Sequence, residues 1–246
     1  MRLELAERLR CPGAHPPTPL IVVAQETRDR VLCRAIVGCA VCGLEARITA
    51  GALTFPDGLV VAGAEGAPAA DLRGAAAAAR NLRAGAAVPA DVDAAALERL
   101  VALLHLDAPG GAVLLTGSYA RFAVALEASH DVHAVVLASA PDTRGTTRDT
   151  TRDTTRDGTH ASTHDSAPSI PFTDATFRAA AVEMMPPALL ADLPRVVTPG
   201  GRIVSVVGIE PPAGARILAR DDREWVAERE EGGGEMVTLQ RVKGDG

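Results

Sequence analysis

Short, largely apolar runs punctuate the second half of the chain at 112–116, 132–138, 179–184 and 202–208, set off by Gly, Pro and polar residues. Runs of that length without alternation predict parallel strands covered on both faces. Helices are expected between them. Arg121 to Ala128 has helix-forming composition, and Asp91 or Asp93 can cap a helix through Leu106 that places Leu97, Leu100, Val101 and Leu104 on one face. The first part reads differently. Leu20 to Ala24, Ala35 to Gly38 and Glu45 to Phe55 are β-branched runs between Pro- and Gly-rich turns, which predicts a small β module over 1–58. An Ala-rich stretch at 69–84 with a Gly at 85 predicts a helical linker over 59–90. Near the end, 224–230 and 235–242 flank three glycines, a hairpin signal.

The expected architecture is therefore α/β: a Rossmann-like, mostly parallel sheet with an antiparallel C-terminal hairpin over 91–246, preceded by the β module. One segment interrupts it. Residues 146–157 are three tandem copies of Thr-Thr-Arg-Asp, and 142–169 holds no apolar residue larger than Ala or Pro before Ser169. Such a stretch cannot offset its ordering entropy by burial, so it is expected to be a disordered insertion.

Composition narrows the function classes. In 246 residues, 25 Lys plus Arg face 31 Asp plus Glu, a net charge of −6, which argues against nucleic acid as a partner. Apolar residues make up 47%, but aromatics only 2%, so the core depends on Leu, Val and Ala. No apolar run reaches the length of a membrane span and the start lacks a signal-like stretch, giving a cytoplasmic expectation without a membrane partner.

All four cysteines, Cys11, Cys33, Cys39 and Cys42, fall in the first fifth of the chain. Without an export signal, such a cluster reads as a metal site rather than disulfides. Cys39-Ala-Val-Cys42-Gly43 has the form of a zinc knuckle, a tight turn that brings two thiolates to one ion. Cys11-Pro-Gly-Ala-His15 supplies a second turn with one thiol and one imidazole. Zn²⁺ accepts three thiolates and one imidazole in a closed structural site, so the expected ligands are Cys11, His15, Cys39 and Cys42, with Cys33 competing for the fourth position.

The string Leu9-Arg-Cys11-Pro12, then Gly38-Cys39-Ala-Val-Cys42-Gly43-Leu-Glu45, then 48–55, resembles the zinc ribbons of the Trm112-like family. Members of that family act as partners of methyltransferases or occur fused to them. This chain departs from them in using His15 and in carrying Arg47-Ile-Thr-Ala-Gly51 where a Tyr-Pro-Ile strand motif would lie.

Downstream, Pro171-Phe172-Thr-Asp174-Ala-Thr-Phe177 before an apolar strand resembles a stretch of class I S-adenosylmethionine (SAM) methyltransferases. So does Leu189 to Ile203, with its Pro199-Gly200-Gly201-Arg202 turn. The resemblance implies a SAM site on the turn after the first strand, here Gly117, Ser118 and Tyr119. It also implies a carboxylate at the end of the second strand for the ribose, and another after the third strand facing the adenine.

Those features are missing. Gly117 alone survives of the Gly-rich turn, and Tyr119 is expected to intrude where a second Gly belongs. The second strand ends Leu137-Ala138-Ser139 without a carboxylate, and the insertion replaces the third. The expectation is a zinc-bearing, methyltransferase-like protein with a degenerate SAM pocket, no catalytic residue and a binding or scaffolding role toward a protein partner. The alternative is an active SAM-dependent methyltransferase that holds its cofactor through the backbone at Gly117 and Ser118, with Glu183 as the nearest polar group. A ribbon that contacts RNA is a third reading, disfavoured by the acidic balance.

Overall fold

The computed structural model describes residues 1–64, 92–139 and 169–230. The expected Ala-rich helix, the Thr-Thr-Arg-Asp insertion and the 235–242 strand lie outside these residues. Each apolar run is a strand: β6 (Ala112–Leu115), β7 (His133–Ser139), β8 (Phe177–Val182) and β9 (Val197–Val206). Between them come α2 (Ala94–Leu104), a 3₁₀ turn (Gly117–Phe122), α3 (Ala123–His130) and α4 (Pro187–Val196). Asp93 caps α2 by accepting a hydrogen bond from the Ala95 amide. The first part folds as a short helix α1 (Leu3–Ala6) and five strands: β1 (Ile21–Arg28), β2 (Val31–Gly38), β3 (Glu45–Thr49), β4 (Ala52–Thr54) and β5 (Leu59–Gly63). Two strands end the described chain, β10 (Ala215–Arg220) and β11 (Glu224–Arg229).

The eleven strands among the described residues belong to one sheet, in the order β1-β2-β3-β4-β5-β7-β6-β8-β9-β11-β10. The sheet is mixed, which corrects the expectation of a mostly parallel one. Only β7-β6-β8-β9 run parallel, and the other pairs are antiparallel. The reason lies in β5. Leu-Val-Val-Ala-Gly follows an Asp57-Gly58 turn as a β-branched run rather than entering a helix, and it pairs antiparallel with β7, Leu59 opposite Ser139 and Gly63 opposite Val135. The N-terminal strands thereby continue the same sheet.

An antiparallel C-terminal hairpin is present among the described residues: β11 pairs with β10 on one side and with β9 on the other.

Alternation along the central strands divides the core between two faces, as the period of two requires. Leu114, Val135, Leu137, Val182, Ile203 and Trp225 point to the face covered by the N-terminal segment and α4. Val113, Leu115, Val136, Ala179, Ala181 and Val226 point to the face covered by α2 and α3. One side chain ties the first face together: Arg195 of α4 donates to Asp192, Asp174 and the carbonyls of Phe172 and Ile170. No helix among the described residues is long and apolar enough to cross a membrane.

Candidate metal centre and strand-end crevice

Two hairpin loops bring the Cys and His residues together. Residues 39–44 connect β2 to β3, closed by Cys39 N–H to Leu44 O at 2.9 Å and Gly43 N–H to Cys39 O at 3.0 Å. Residues 11–18 form the other loop, closed by Cys11 N–H to Thr18 O at 2.9 Å. The ligand atoms of Cys11, His15, Cys39 and Cys42 all lie within 4.8 Å of one another. Cys33 is elsewhere, on β2, with its thiol against the Val31 carbonyl.

The spacings suit a tetrahedral ion. Cys11 Sγ is 3.6 Å from Cys42 Sγ, and Cys39 Sγ is 3.4 Å from His15 Nε2. Bond lengths of about 2.3 Å to sulfur and 2.0–2.1 Å to nitrogen put tetrahedral neighbours about 3.8 Å (S–S) and about 3.6 Å (S–N) apart. The imidazole is oriented for the task. Nδ1 lies 2.8 Å from the Pro16 carbonyl and 3.3 Å from the Thr18 hydroxyl, so Nδ1–H faces an acceptor and Nε2 faces the thiols.

The thiols are strained as acids. Burial pushes Cys11 up to about 12, and its neighbours Cys42 and Cys39 add to the rise. Burial also acts against ionisation of Cys39, but the amides of Cys42 and Val41 and the neighbouring thiols outweigh it and bring that group to about 7. One thiolate therefore forms readily at Cys39 and works against ionisation of Cys11. A divalent cation removes that conflict. Gly43 is needed for its left-handed backbone, φ +71°, with nothing within 4 Å of an added Cβ. At Gly13 the backbone comes close to sulfur, and an added Cβ would meet Cys11 Sγ at 3.3 Å.

A second set of residues gathers at the C-terminal ends of β6 and β8. The chain runs from β6 through α3 to β7 on one side and then returns to β8 on the other, so this is the point where strand order reverses, the usual crevice for a ligand in α/β sheets. Thr116 bridges the two strand ends: its hydroxyl lies 2.7 Å from the Glu183 carbonyl and 2.8 Å from the Glu183 amide. Gly117 follows at φ +58°, pressed against Glu183, where a Cβ would sit 2.8 Å from its Cβ and 2.9 Å from its carbonyl. The Glu183 carboxylate accepts a hydrogen bond from the Ser118 amide at 2.8 Å.

Tyr119 does not occupy the mouth of the turn. It is buried in the core cluster with Leu97 and Leu100 of α2, and its hydroxyl reaches Glu224 at 3.5 Å. Burial, with the Glu224 and Glu183 charges, raises its hydroxyl to about 12. Glu224 is in turn paired with Arg99, which also holds Asp221 at 3.0 Å. At the neighbouring strand end, Ala138 lies opposite Val60 of β5, so the sheet position beside β7 is filled by an antiparallel strand.

The sequence brings out the four ligands as a set and names the turn at 117–119. It offers no periodic or motif signal for the part Glu183 takes, because that depends on two strands more than 60 residues apart becoming neighbours. Comparison of the chain with protein-family models, with curated proteins and with solved structures finds no match.

Proposed function

We propose that this chain is a zinc-stapled, methyltransferase-like protein with a degenerate SAM pocket, and that it works by binding or scaffolding another protein. The observation that carries the reading is the hydrogen bond from the Ser118 amide to the Glu183 carboxylate. In a SAM site, the turn after the first strand offers its backbone to the methionine moiety. Here the chain's own carboxylate takes that amide and lies against Gly117.

Two further features support the reading. The order β7-β6-β8-β9 with an antiparallel β11 beside it agrees with the class I frame and its antiparallel seventh strand. β7 ends in Ala138 and Ser139 without a carboxylate, and antiparallel β5 stands where a third parallel strand would bring another. A charge-assisted hydrogen bond contributes about 1.5–3 kcal/mol, so loss of the ribose carboxylate alone weakens SAM at least tenfold.

The Cys11, His15, Cys39 and Cys42 set fits Zn²⁺ in its structural role, a closed site of three thiolates and one imidazole with no open position for a substrate. Zinc there would lock the two hairpin loops to each other. Calorimetry with SAM and with its demethylated product tests the reading. No measurable heat is expected, and a dissociation constant in the low micromolar range would overturn it in favour of an active methyltransferase.

A further inference from the structure

Beside the metal loops lies an open cleft of about 620 Å³. Its floor is a patch of three extended segments. Residues 8–11 pair on one side with 171–173, through Leu9 opposite Phe172, Arg10 N–H to Pro171 O and Thr173 N–H to Arg8 O. On the other side they pair with 18–20, through Arg10 opposite Pro19, Cys11 N–H to Thr18 O and Leu20 N–H to Leu9 O. Alternation in the middle segment sends Leu9 and Cys11 into the core and leaves Arg8 and Arg10 on the outward face, where both line the cleft.

The state of the two guanidinium groups is informative beside Arg195. Arg195 directs all five of its N–H donors to named acceptors. Arg10 is the more buried of the two, with 13% of its side chain exposed against 20% for Arg195, yet its one ion pair among the described residues is a 3.5 Å contact to Asp174 Oδ1. That oxygen is already held by Arg195 at 3.0 Å. The Arg10 Nε is buried and has no partner. Arg8, two residues away, makes no side-chain hydrogen bond or ion pair among the described residues. A buried guanidinium with an unused donor and a spent counter-ion lacks an anion.

We propose that this cleft binds a ligand through a single oxyanion group, a carboxylate or a phosphate monoester, held by Arg10 and Arg8. A guanidinium offers paired, coplanar donors to such a group. Thr18 and Thr173 complete the polar part of its lining. Glu7 and Asp174 also face the cleft and bring the charge of its lining to zero, so it selects against polyanions. The site is separate from the strand-end crevice, and the inference does not depend on the methyltransferase reading.

The test titrates inorganic phosphate and acetate separately into the full chain at constant ionic strength, following the arginine Nε–H resonances by NMR. A saturable shift of the Arg10 signal with either anion supports the site. Phosphate alone assigns a phosphorylated ligand, and acetate alone a carboxylate. Arg8→Gln, an exposed change that leaves folding intact, should weaken the response several-fold, and Arg10→Lys, which keeps the charge but loses the paired donors, at least tenfold. The proposal is overturned if neither anion moves the Arg10 signal, if Arg8→Gln responds as the parent does, or if tripolyphosphate binds more tightly than the simple anions.

Discussion

Gly117 and Glu183 are in contact although 66 positions separate them: a β-carbon at 117 would lie 2.8 Å from the Glu183 β-carbon. The glycine is required twice, for its backbone conformation at φ +58° and for this approach. Gly117→Ala should therefore cost at least about 2 kcal/mol, more than the 1–2 kcal/mol of a left-handed alanine alone would explain at its lower end. Chemical denaturation of the two proteins gives the difference directly. A loss below 1 kcal/mol would mean that the strand ends of β6 and β8 are further apart than described.

Glu183→Ala should be mild by comparison. It removes the acceptor from an exposed Ser118 amide that water can satisfy, while the Thr116 hydroxyl keeps its contacts with the Glu183 backbone. About 0.5–1.5 kcal/mol is expected. Combined with Ala138→Asp, the same change supplies a free turn and a strand-end carboxylate together. Calorimetry on the double variant should then register SAM binding where the parent shows none.

Metal binding has its own signature. The thiols shed their protons to coordinate, so zinc affinity should fall steadily as pH drops, as read by competition with a chelating dye. Cys39→Ala and His15→Ala should lose zinc on elemental analysis, and Cys33→Ala should keep it. Equal zinc content in Cys39→Ala and the parent would refute the ligand set.

Tyr119 predicts behaviour at the alkaline end. Its hydroxyl rises from 10.0 to about 12 through burial and then the Glu224 and Glu183 charges, so the folded state holds this proton more tightly than the unfolded chain. The resulting stability is complete below pH 10 and is lost as pH climbs through about 12. Tyr119→Phe, which has no proton to lose, should flatten that part of the stability–pH curve measured by thermal melts.

Asp93→Ala removes the side-chain cap from α2 and should cost about 1 kcal/mol by denaturant melting. Asp93→Asn, which keeps an acceptor oxygen, should recover most of the loss.

What was legible in the sequence follows from how local each signal is. The apolar runs at 112–116 and 132–138 announce strands because burial on both faces leaves no room for alternation. Asp93 announces a helix start because capping acts over two residues, and the ligand turns announce themselves because each is five residues long or shorter. Pairing partners are another matter. β10, Ala-Arg-Ile-Leu-Ala-Arg, is exposed along nearly its whole length and carries no burial pattern, so its pairing with β11 has no signal in the sequence. β5 looks like the head of a linker until its partner, β7, is known. Glu183 is no more than a polar group near the turn until Gly117 arrives beside it.

The pairing of β5 with β7 has a consequence for how the chain is made. A ribosome delivers β5 long before His133–Ser139, and during that interval of about 3–14 s, at the usual 5–20 residues per second, the last of five N-terminal strands presents a row of unpaired amides and carbonyls. Nascent chains at this stage are open to edge-to-edge association with one another. Truncated chains that stop before β7 should self-associate, and synonymous codons that slow translation across 64–132 should lower the soluble yield of an otherwise unchanged protein.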